Sequence, residues 1–368
     1  MNGHTVLVGA GVSGLSVALA LLQRGHAVTL LERGQTGGES SWAGGGILSP
    51  LLPWAYPESV STLALHSMTA YAGWVEDIEA ISGLEAEFWR CGMLALSVSE
   101  PEQALAWCAK HGMAGERGCP DTLHPAPASC KQDPVWLPDV AQVRNPRLVA
   151  SLRAAVTRLG GVIHEHCSAT GVQVQNQRVT AVQTNLETIS ADKVVLTAGA
   201  WSGLGLAGLS PVPKIRPMRG QMLLFKLKPG MLDTILYRNG LYLIPRRDGH
   251  VLVGSTLEDV GFDKSTDAAT RQRLHAEAAE LLPVLASLEP VQHWAGLRPG
   301  SPDNIPVIDR HPDFDNVFVN TGHYRYGVTM APASTELLVD LMEGTPPVLD
   351  PAPYRWQAVL ERRWAGTL

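Results

Sequence analysis

Features that would place the chain in a membrane, on nucleic acid or in a disulfide-rich class are scarce in this sequence of 368 residues. Its apolar runs are broken by Gly, Gln and Arg well short of the roughly 20 residues that a membrane-spanning helix needs. The net charge of -6 and the isoelectric point near 6.1 leave no basic excess for binding nucleic acid. The five cysteines are odd in number and contain no CxxC pair, so we expect reduced thiols and no metal site.

The N-terminal residues enter an apolar run almost at once, with no charged segment before it, so we expect no signal peptide. We therefore expect a cytoplasmic protein without stable membrane association. The content of 45% hydrophobic and 17% charged residues is ordinary for a soluble enzyme. A chain of this length suits two domains that share an interface.

The strongest positive signal lies in residues 5–32. An apolar run is followed by Gly9, Gly11 and Gly14 at GxGxxG spacing, then by a helical pattern and a second apolar run that ends at Glu32. A strand, tight turn and helix of this kind bind a dinucleotide, with the pyrophosphate at the helix N-terminus and the acid on a ribose. The stretch therefore predicts a Rossmann-like dinucleotide-binding domain.

A second GxGxxG spacing, at Gly203, Gly205 and Gly208, lacks this context. Pro211 and Pro213 prevent a long helix after it, and no strand ending in an acid follows. We therefore predict a loop at this second match.

Periodicity predicts the remaining elements. Asn145-Pro146 is typical of a helix start, and Asp248-Gly249 is typical of a hairpin turn. We expect helices over 15–24, 59–82, 102–111, 147–159, 267–285 and 328–342. We expect strands over 5–8, 27–31, 93–98, 162–165, 191–196 and 317–320, with antiparallel pairing over 170–184 and 212–256.

These elements predict an α/β fold, α+β overall, with a Rossmann-like cofactor-binding domain and a second, antiparallel-sheet domain that binds the substrate. The cofactor domain is expected to be discontinuous, over 1–50, 144–210 and 296–345. The substrate domain is expected over 51–143 and 211–295, and residues 346–368 are expected to form a C-terminal surface tail.

Two further blocks carry small residues where a ligand would lie against backbone. Ser40 and Ser41 are placed to donate hydroxyls to phosphate or ribose, and the glycines at 44–46 allow backbone contact with a flat ring. Ala198 and Gly199 follow a buried strand, at the edge where doubly wound sheets bind their ligands.

Several separated blocks resemble one family. GAGVSG with Glu32, ESSWAGGGILSP, VVLTAGAWSG, and the pair GLRPGSPDNIPVID and GHYRYGVTMAP are similar to the glycine oxidase branch of the D-amino-acid oxidase superfamily, over residues 6–342. The resemblance implies non-covalent FAD and hydride transfer from a small amino acid to the flavin. No cysteine lies in the blocks around Arg298 and Arg325, which argues against a covalent flavin.

The resemblance also implies the cofactor contacts. The implied FAD-binding residues are Gly9, Gly11, Val12, Ser13, Gly14, Glu32, Arg33, Ser40, Ser41, Gly45, Gly46, Ile47, Val172, Ala198, Gly199, Trp201, His323, Tyr324, Arg325, Tyr326, Gly327, Val328 and Thr329. A helix beginning near Gly327 would stabilise negative charge on the reduced flavin with its N-terminus.

For the substrate, the resemblance implies that Arg298 binds the carboxylate as a charged fork and that the Tyr242 hydroxyl assists it. Arg325 and Ile47 complete the substrate-binding set, and Arg298, Tyr242 and Arg325 are the candidate catalytic residues. Tyr242 could instead be a core aromatic residue, and Arg325 could instead hold structure or flavin charge. Side-chain size at two further positions expected near the pocket, Gly240 and Leu257, would then affect substrate range.

The implied activity is oxidative deamination of glycine, and of sarcosine or small D-amino acids, to glyoxylate, ammonia and hydrogen peroxide through an imine. Oxygen is the expected acceptor, and the imine would supply the thiazole moiety of thiamine. The expected partners are a small amino acid, oxygen, further copies of the chain in a homo-oligomer such as a tetramer, and a thiazole synthase that receives the imine. A broader D-amino-acid or sarcosine oxidase, a quinone-linked dehydrogenase and a flavoprotein subunit without turnover remain as alternatives.

Overall fold

The computed structural model describes residues 3–120 and 133–364. The helices, in chain order, are α1 (Val12–Gln23), α2 (Ser40–Ala43), α3 (Glu58–Ser82), α4 (Pro101–Lys110), α5 (Asn145–Arg158), α6 (Ala268–Leu281), α7 (Ala331–Glu343) and α8 (Trp356–Glu361). The strands are β1 (His4–Val8), β2 (Ala27–Leu31), β3 (Ile47–Leu48), β4 (Trp89–Arg90), β5 (Met93–Ala95), β6 (Glu116–Arg117), β7 (Val135–Leu137), β8 (Ala141–Gln142), β9 (Val162–His164), β10 (Ala169–Gln175), β11 (Arg178–Thr184), β12 (Thr188–Ser190), β13 (Lys193–Leu196), β14 (Arg216–Lys226), β15 (Ile235–Arg238), β16 (Leu241–Pro245), β17 (His250–Gly254), β18 (Gln292–Gly300), β19 (Val307–Arg310) and β20 (Val317–Thr321).

One half of the molecule is built on a six-stranded sheet with the strand order β19-β20-β13-β1-β2-β9. All neighbouring pairs are parallel except β19 and β20. In the central strand β1, Leu7 packs into the helical core and Val6 packs into a cluster with the small sheet β10-β11-β12. Both faces of the parallel sheet are therefore covered, as such sheets require. The Rossmann-like part of the predicted fold is confirmed.

The helices α1, α3, α5 and α7 form the layer on this sheet. Leu15, Leu63, Leu152 and Leu338, one from each helix, are buried in the same cluster. Helix α3 was assigned from the sequence to the substrate domain, whereas its apolar face packs in this core. The chain boundary at residue 51 therefore does not coincide with a boundary between cores.

The other half is an eight-stranded sheet with the order β18-β14-β17-β16-β15-β5-β7-β6. Its pairs are antiparallel apart from β15 and β5, which run parallel. Helix α6 covers one face, where Leu274 packs with Leu223 and Leu243. The expected second antiparallel sheet is thus present. Residues 296–300, assigned from the sequence to the cofactor domain, lie instead in β18 and pair with β14.

Several local predictions are confirmed. Asp248 and Gly249 lie in the turn between β16 and β17. Strands β10 and β11 pair antiparallel, and β9 pairs parallel with β2. The second glycine motif lies in a short 3-10 turn, Gly199–Leu204, and the irregular residues after it.

Two expectations are wrong. Residues 346–364 do not form a surface tail, because Tyr354 and Trp356 are 1% and 3% exposed and Trp356 packs with Val307 of β19. Prolines at 346, 347, 351 and 353 interrupt this stretch, so its buried apolar residues show no regular period. Cys119 is disulfide-bonded, against the expectation that all thiols are reduced, because spacing along the chain does not report distance in space.

None of the helices within the described ranges combines the length and the apolar content that crossing a membrane would require.

Candidate active site

A cavity of about 420 Å³ lies against the carboxyl ends of β1, β2, β13 and β20, where doubly wound sheets bind their ligands. Its lining also takes residues from β14, β16 and β18 of the eight-stranded sheet. Every residue predicted for cofactor or substrate lines the cavity except Gly14 and Val172. Within it we distinguish a dinucleotide end, formed by residues 9–13 and 32–46, and an arginine end, formed by Tyr242, Ser255, Arg298 and Arg325.

At the dinucleotide end, glycine is needed because of close backbone packing. A Cβ on Gly14 would lie 2.0 Å from the carbonyl oxygen of Gly9, so any side chain there would separate α1 from β1. Gly9 itself has a φ of +109°, which side chains rarely adopt. The Val12 N–H, at the start of α1, donates to the Ser41 hydroxyl at 2.9 Å. The turn thus brings the serine block to the helix N-terminus, the position that binds anions.

Glu32 is held firmly at the end of β2 and is 8% exposed. Its Oε2 accepts the N–H of Ala10 at 3.0 Å, and its Oε1 accepts the N–H of Gly34 at 2.9 Å. A carboxylate oxygen has two acceptor sites, so each oxygen keeps one for a ribose hydroxyl. The backbone therefore fixes the carboxylate in the orientation that the motif requires.

Two buried residues that the sequence reasoning missed support the glycine-rich loop. Asn145, expected to cap a helix, instead donates from Nδ2 to the carbonyl of Ser41 at 2.8 Å. Arg246 donates to the carbonyls of Gly45 at 2.8 Å and Val143 at 2.9 Å. Burial lowers the pKa of Arg246 to about 10, which still leaves it charged at neutral pH. Neither residue has a local signal, since each acts on a loop distant in the chain.

A strap, residues 258–265, crosses from the eight-stranded sheet to the dinucleotide end. The ring of its Phe262 stacks on Trp201, with 5.4 Å between the ring centroids. The guanidinium carbon of Arg33 lies 3.4 Å from the centroid of the Trp201 ring. Glu39 accepts from Arg33 at 2.7 Å and from Lys264 at 3.0 Å. Of these residues, Arg33, Glu39 and Trp201 line the cavity, so the strap braces its wall.

The cavity also fits FAD in its polar chemistry. Asn145 Oδ1, both side-chain polar atoms of Asn320, and His323 Nε2 are buried without a hydrogen-bond partner among the residues that the structure describes, and all three residues line the cavity. Buried polar atoms are normally satisfied, so these point to a ligand with donors and acceptors. FAD carries such groups on its ring, ribityl chain and pyrophosphate. Burial also lowers the pKa of His323 to about 4, so its imidazole is neutral at pH 7.

At the arginine end, Arg298 and Tyr242 meet at one atom. Arg298 Nη2 donates to Ser255 Oγ at 2.5 Å, and the Tyr242 hydroxyl donates to the same oxygen at 3.0 Å. Arg298 Nη1 donates to the carbonyl of Thr256 at 3.2 Å. A guanidinium has five N–H donors, so several remain for an anion in the cavity. Ser255 was not recognised from the sequence, because nothing near it in the chain marks it.

Arg325 adds a second guanidinium to this end, 5.5 Å from the ring of Tyr324. Within residues 3–120 and 133–364, neither Arg298 nor Arg325 has a carboxylate at ion-pair distance. The two unneutralised cations make this end suited to an anion. Ile47, the remaining predicted substrate contact, lines the cavity, and its carbonyl accepts the Thr329 hydroxyl at 2.9 Å.

Some sequence expectations fail here. Gly240 lies in the turn between β15 and β16, and neither it nor Leu257 lines the cavity. Met222 of β14 and the loop residue Leu51 line the cavity instead, and no pattern in the sequence indicates that they lie near it. In the described part of the chain, no group of His, Cys, Asp and Glu is arranged to hold a metal ion.

Comparison with known proteins agrees with this geometry. A family model described as FAD-dependent oxidoreductase, DAO, matches residues 4–341. The glycine oxidase of Pseudomonas aeruginosa is 45% identical, over 96% of this chain and 98% of that protein. The bifunctional protein ThiO/ThiG of Trichormus variabilis is 31% identical over 93% of this chain, which spans 53% of that protein. The crystal structure of glycine oxidase from Geobacillus kaustophilus, 26% identical, superposes with a TM-score of 0.89 over 96% of this chain and 98% of that one. The chain therefore belongs to the DAO family of FAD-dependent oxidoreductases, as its motifs implied, and its cofactor is FAD.

Proposed function

We propose that this protein is a glycine oxidase, which converts glycine, oxygen and water to glyoxylate, ammonia and hydrogen peroxide through an imine. The observation that carries the proposal is the pair of unneutralised guanidiniums, Arg298 and Arg325, at one end of a cavity whose other end suits a dinucleotide. The similarity to proteins named glycine oxidase supports the same choice of substrate. FAD, when bound, supplies the acceptor for the hydride that leaves the α-carbon.

Arg298 would orient the substrate. Its free N–H groups can donate to both oxygens of a carboxylate, and the Tyr242 hydroxyl lies beside them. Each charge-assisted hydrogen bond of this kind contributes about 1.5–3 kcal/mol. Two such bonds fix the direction of the Cα–carboxyl bond as well as its position, and such orientation of the reacting atoms lowers the barrier to hydride transfer.

The charge at this end would also favour the reactive form of the amine. The amine must be neutral before the α-carbon can give up a hydride. Arg298 and Arg325 are cations without carboxylate partners among the described residues, and nearby positive charge lowers the pKa of an ammonium group. His323 adds no further charge at neutral pH, because burial lowers its pKa to about 4. Electrostatics would therefore replace a dedicated general base.

Substrate range would follow from the apolar and aromatic groups around the carboxylate site. Tyr242, Met222, Leu51 and Tyr326 line the cavity near Arg298 or Arg325. One methylene in such a pocket changes binding by about 1–3 kcal/mol. Sarcosine and small D-amino acids would therefore react more slowly than glycine rather than be excluded.

The wider roles stay proposals. The part built on the six-stranded sheet would be the cofactor domain, and the part built on the eight-stranded sheet would be the substrate domain. The relative in which ThiO and ThiG are joined in one chain supports delivery of the imine to a thiazole synthase for thiamine. A cytoplasmic homo-oligomer, with oxygen as electron acceptor, completes the proposed setting.

Anaerobic mixing of the FAD-loaded protein with glycine, sarcosine and D-alanine in turn tests the proposal. Fastest loss of flavin absorbance with glycine, followed by peroxide formation when air is admitted, is the expected result. Reduction by a larger D-amino acid alone would indicate a broader oxidase. Reduction that air does not reverse would indicate a quinone-linked dehydrogenase. No reduction by any amino acid would contradict the proposed function.

A further inference from the structure

Ser255 lies between the two side chains expected to hold the substrate carboxylate. It directly follows Gly254, the last residue of β17, which pairs with Met222 of β14 on one side and Tyr242 of β16 on the other. We propose that Ser255 is a positioning residue, which fixes Arg298 and Tyr242 relative to each other so that one carboxylate meets both groups. This role rests on the proposed function of that pair.

The strand order makes a bridge necessary. Arg298 lies on β18 and Tyr242 on β16, and β14 and β17 separate them in the sheet. Three strand spacings amount to about 14 Å between the two backbones. The two side chains reach across this distance, and the Ser255 hydroxyl is the atom on which both converge, at 2.5 Å and 3.0 Å.

The number of hydrogen bonds that the Ser255 hydroxyl can make also favours this role. A serine oxygen has two acceptor sites and one proton. Arg298 Nη2 and the Tyr242 hydroxyl occupy both acceptor sites. The proton of Ser255 then has to point away from both donors, and Ser255 lines the cavity. The Tyr242 hydroxyl has one proton and gives it to Ser255, so a carboxylate placed there would receive donors from Ser255 and from the remaining N–H groups of Arg298.

Two glycines hold the bridged side chains close to the sheet. A Cβ on Gly220 would lie 2.1 Å from Arg298 Nη1, and a Cβ on Gly254 would lie 2.9 Å from Cε2 of Tyr242. Because both side chains lie directly on backbone, neither can move further into the sheet if its partner at Ser255 is lost. Movement away from the sheet takes them into the cavity, where the carboxylate would bind.

The experiment measures acetate binding to the FAD-loaded protein through the change in flavin absorbance. Acetate has the carboxylate but no amine, so its binding does not depend on turnover. Ser255→Ala should raise the Kd for acetate about tenfold, and Ser255→Thr, which keeps the oxygen, should restore it to within about threefold. The KM for glycine should rise about tenfold in Ser255→Ala, with kcat changed less than about threefold.

The matched control is Ser287→Ala, because the Ser287 hydroxyl donates to the nearby carbonyl of Val284 and Ser287 is not among the residues that line the cavity. Its Kd for acetate should equal that of the unchanged protein. Of the two single variants, Ser255→Ala and Tyr242→Phe, one will have the higher Kd for acetate. The double variant should have a Kd no higher than that value, because Ser255 and Tyr242 act as one unit.

The outcomes separate this role from the proposed function. Weaker acetate binding in Arg298→Ala, with unchanged binding in Ser255→Ala, would overturn the role of Ser255 alone. Fully additive effects in the double variant would overturn it too. Acetate binding that is unaffected by Arg298→Ala would overturn both the role and its premise. Loss of binding in Ser255→Ala, in a protein that does not oxidise glycine, would support the role while removing the proposed function.

Discussion

At the dinucleotide end of the cavity the lining comes from two short runs of chain, residues 9–13 and 32–46, and much of it is backbone. At the arginine end, Tyr242, Ser255 and Arg298 come from different strands or the turns after them, and the lining is made of side chains. A backbone site depends on glycine and tight turns, which are visible in sequence. A side-chain site depends on strand order, which is not.

The two ends also differ in charge. Glu32 is fixed by backbone N–H groups and offers acceptors, whereas Arg298 and Arg325 offer only donors. A dinucleotide with ribose hydroxyls suits the first end, and a small carboxylate suits the second. Substitutions at the dinucleotide end should therefore change cofactor binding, and substitutions at the arginine end should change substrate binding.

The largest expected effect is at the dinucleotide end. Gly14→Ala would place a methyl group 2.0 Å from the carbonyl oxygen of Gly9, and this backbone atom cannot move unless α1 separates from β1. We expect a protein that is purified without FAD or does not fold. The absorbance of flavin relative to protein, together with the urea midpoint, measures this. Gly73→Ala in α3 is the control, because outside its own helix no atom of the described residues lies within 4 Å of a Cβ placed there, and it should leave both quantities unchanged or raise stability.

The next effect is at the arginine end. Arg298→Ala removes the donors that face the carboxylate site, and kcat/KM for glycine should fall on the order of 100-fold, since about 3 kcal/mol is lost. FAD content should not change.

Arg33→Ala should show the opposite pattern, with weaker FAD binding and an unchanged KM, because Arg33 stacks on Trp201. If Arg298→Ala loses FAD, the two ends are not independent.

A smaller effect concerns pH. Burial lowers the pKa of His323 to about 4, whereas an unfolded histidine titrates near 6.5. Between these values the unfolded state binds the proton and the folded state does not, so the free energy of unfolding falls as pH drops from about 6.5 to 4. The contribution is about 3 kcal/mol at most.

His323→Asn should therefore make the stability of the FAD-free protein less dependent on pH over this range. Urea denaturation at pH 7, 5.5 and 4.5 measures the difference between the variant and the unchanged protein. A difference that stays constant with pH would contradict a neutral buried imidazole. His66→Asn is the control, since His66 is part of a surface pair with Glu336.

The smallest expected effect tests whether the strap closes the dinucleotide end. Phe262→Ala removes the ring that stacks on Trp201, and such a pair contributes about 0.5–1.5 kcal/mol. FAD should dissociate up to about tenfold faster, as measured by the recovery of flavin fluorescence on dilution. Val260→Ala is a matched control, because Val260 and Phe262 are each 40% exposed on the same strap. Equal rates in both variants would show that the strap does not retain the cofactor.

How far each part could be predicted depends on whether its contacts are local. The GxGxxG turn with Glu32 was recognisable, because its strand, turn and helix are consecutive and the acid ends the next strand. Arg298 and Tyr242 were found only through the resemblance to a family, since no local pattern distinguishes them from surface or core residues. Ser255 and Asn145 were missed because each bonds to a partner distant in the chain, and Asn320 because its side chain faces the cavity without a hydrogen-bond partner among the described residues.

The sequence by itself determined the Rossmann-like half, the dinucleotide end and the alternation that builds the second sheet, because glycine sterics and hydrophobic periodicity act over a few residues. Only the tertiary structure decided that β18 joins the eight-stranded sheet, that Trp356 is buried, and that one serine oxygen lies between Arg298 and Tyr242. These features depend on which strands become neighbours, and strand order follows from the packing of the whole chain.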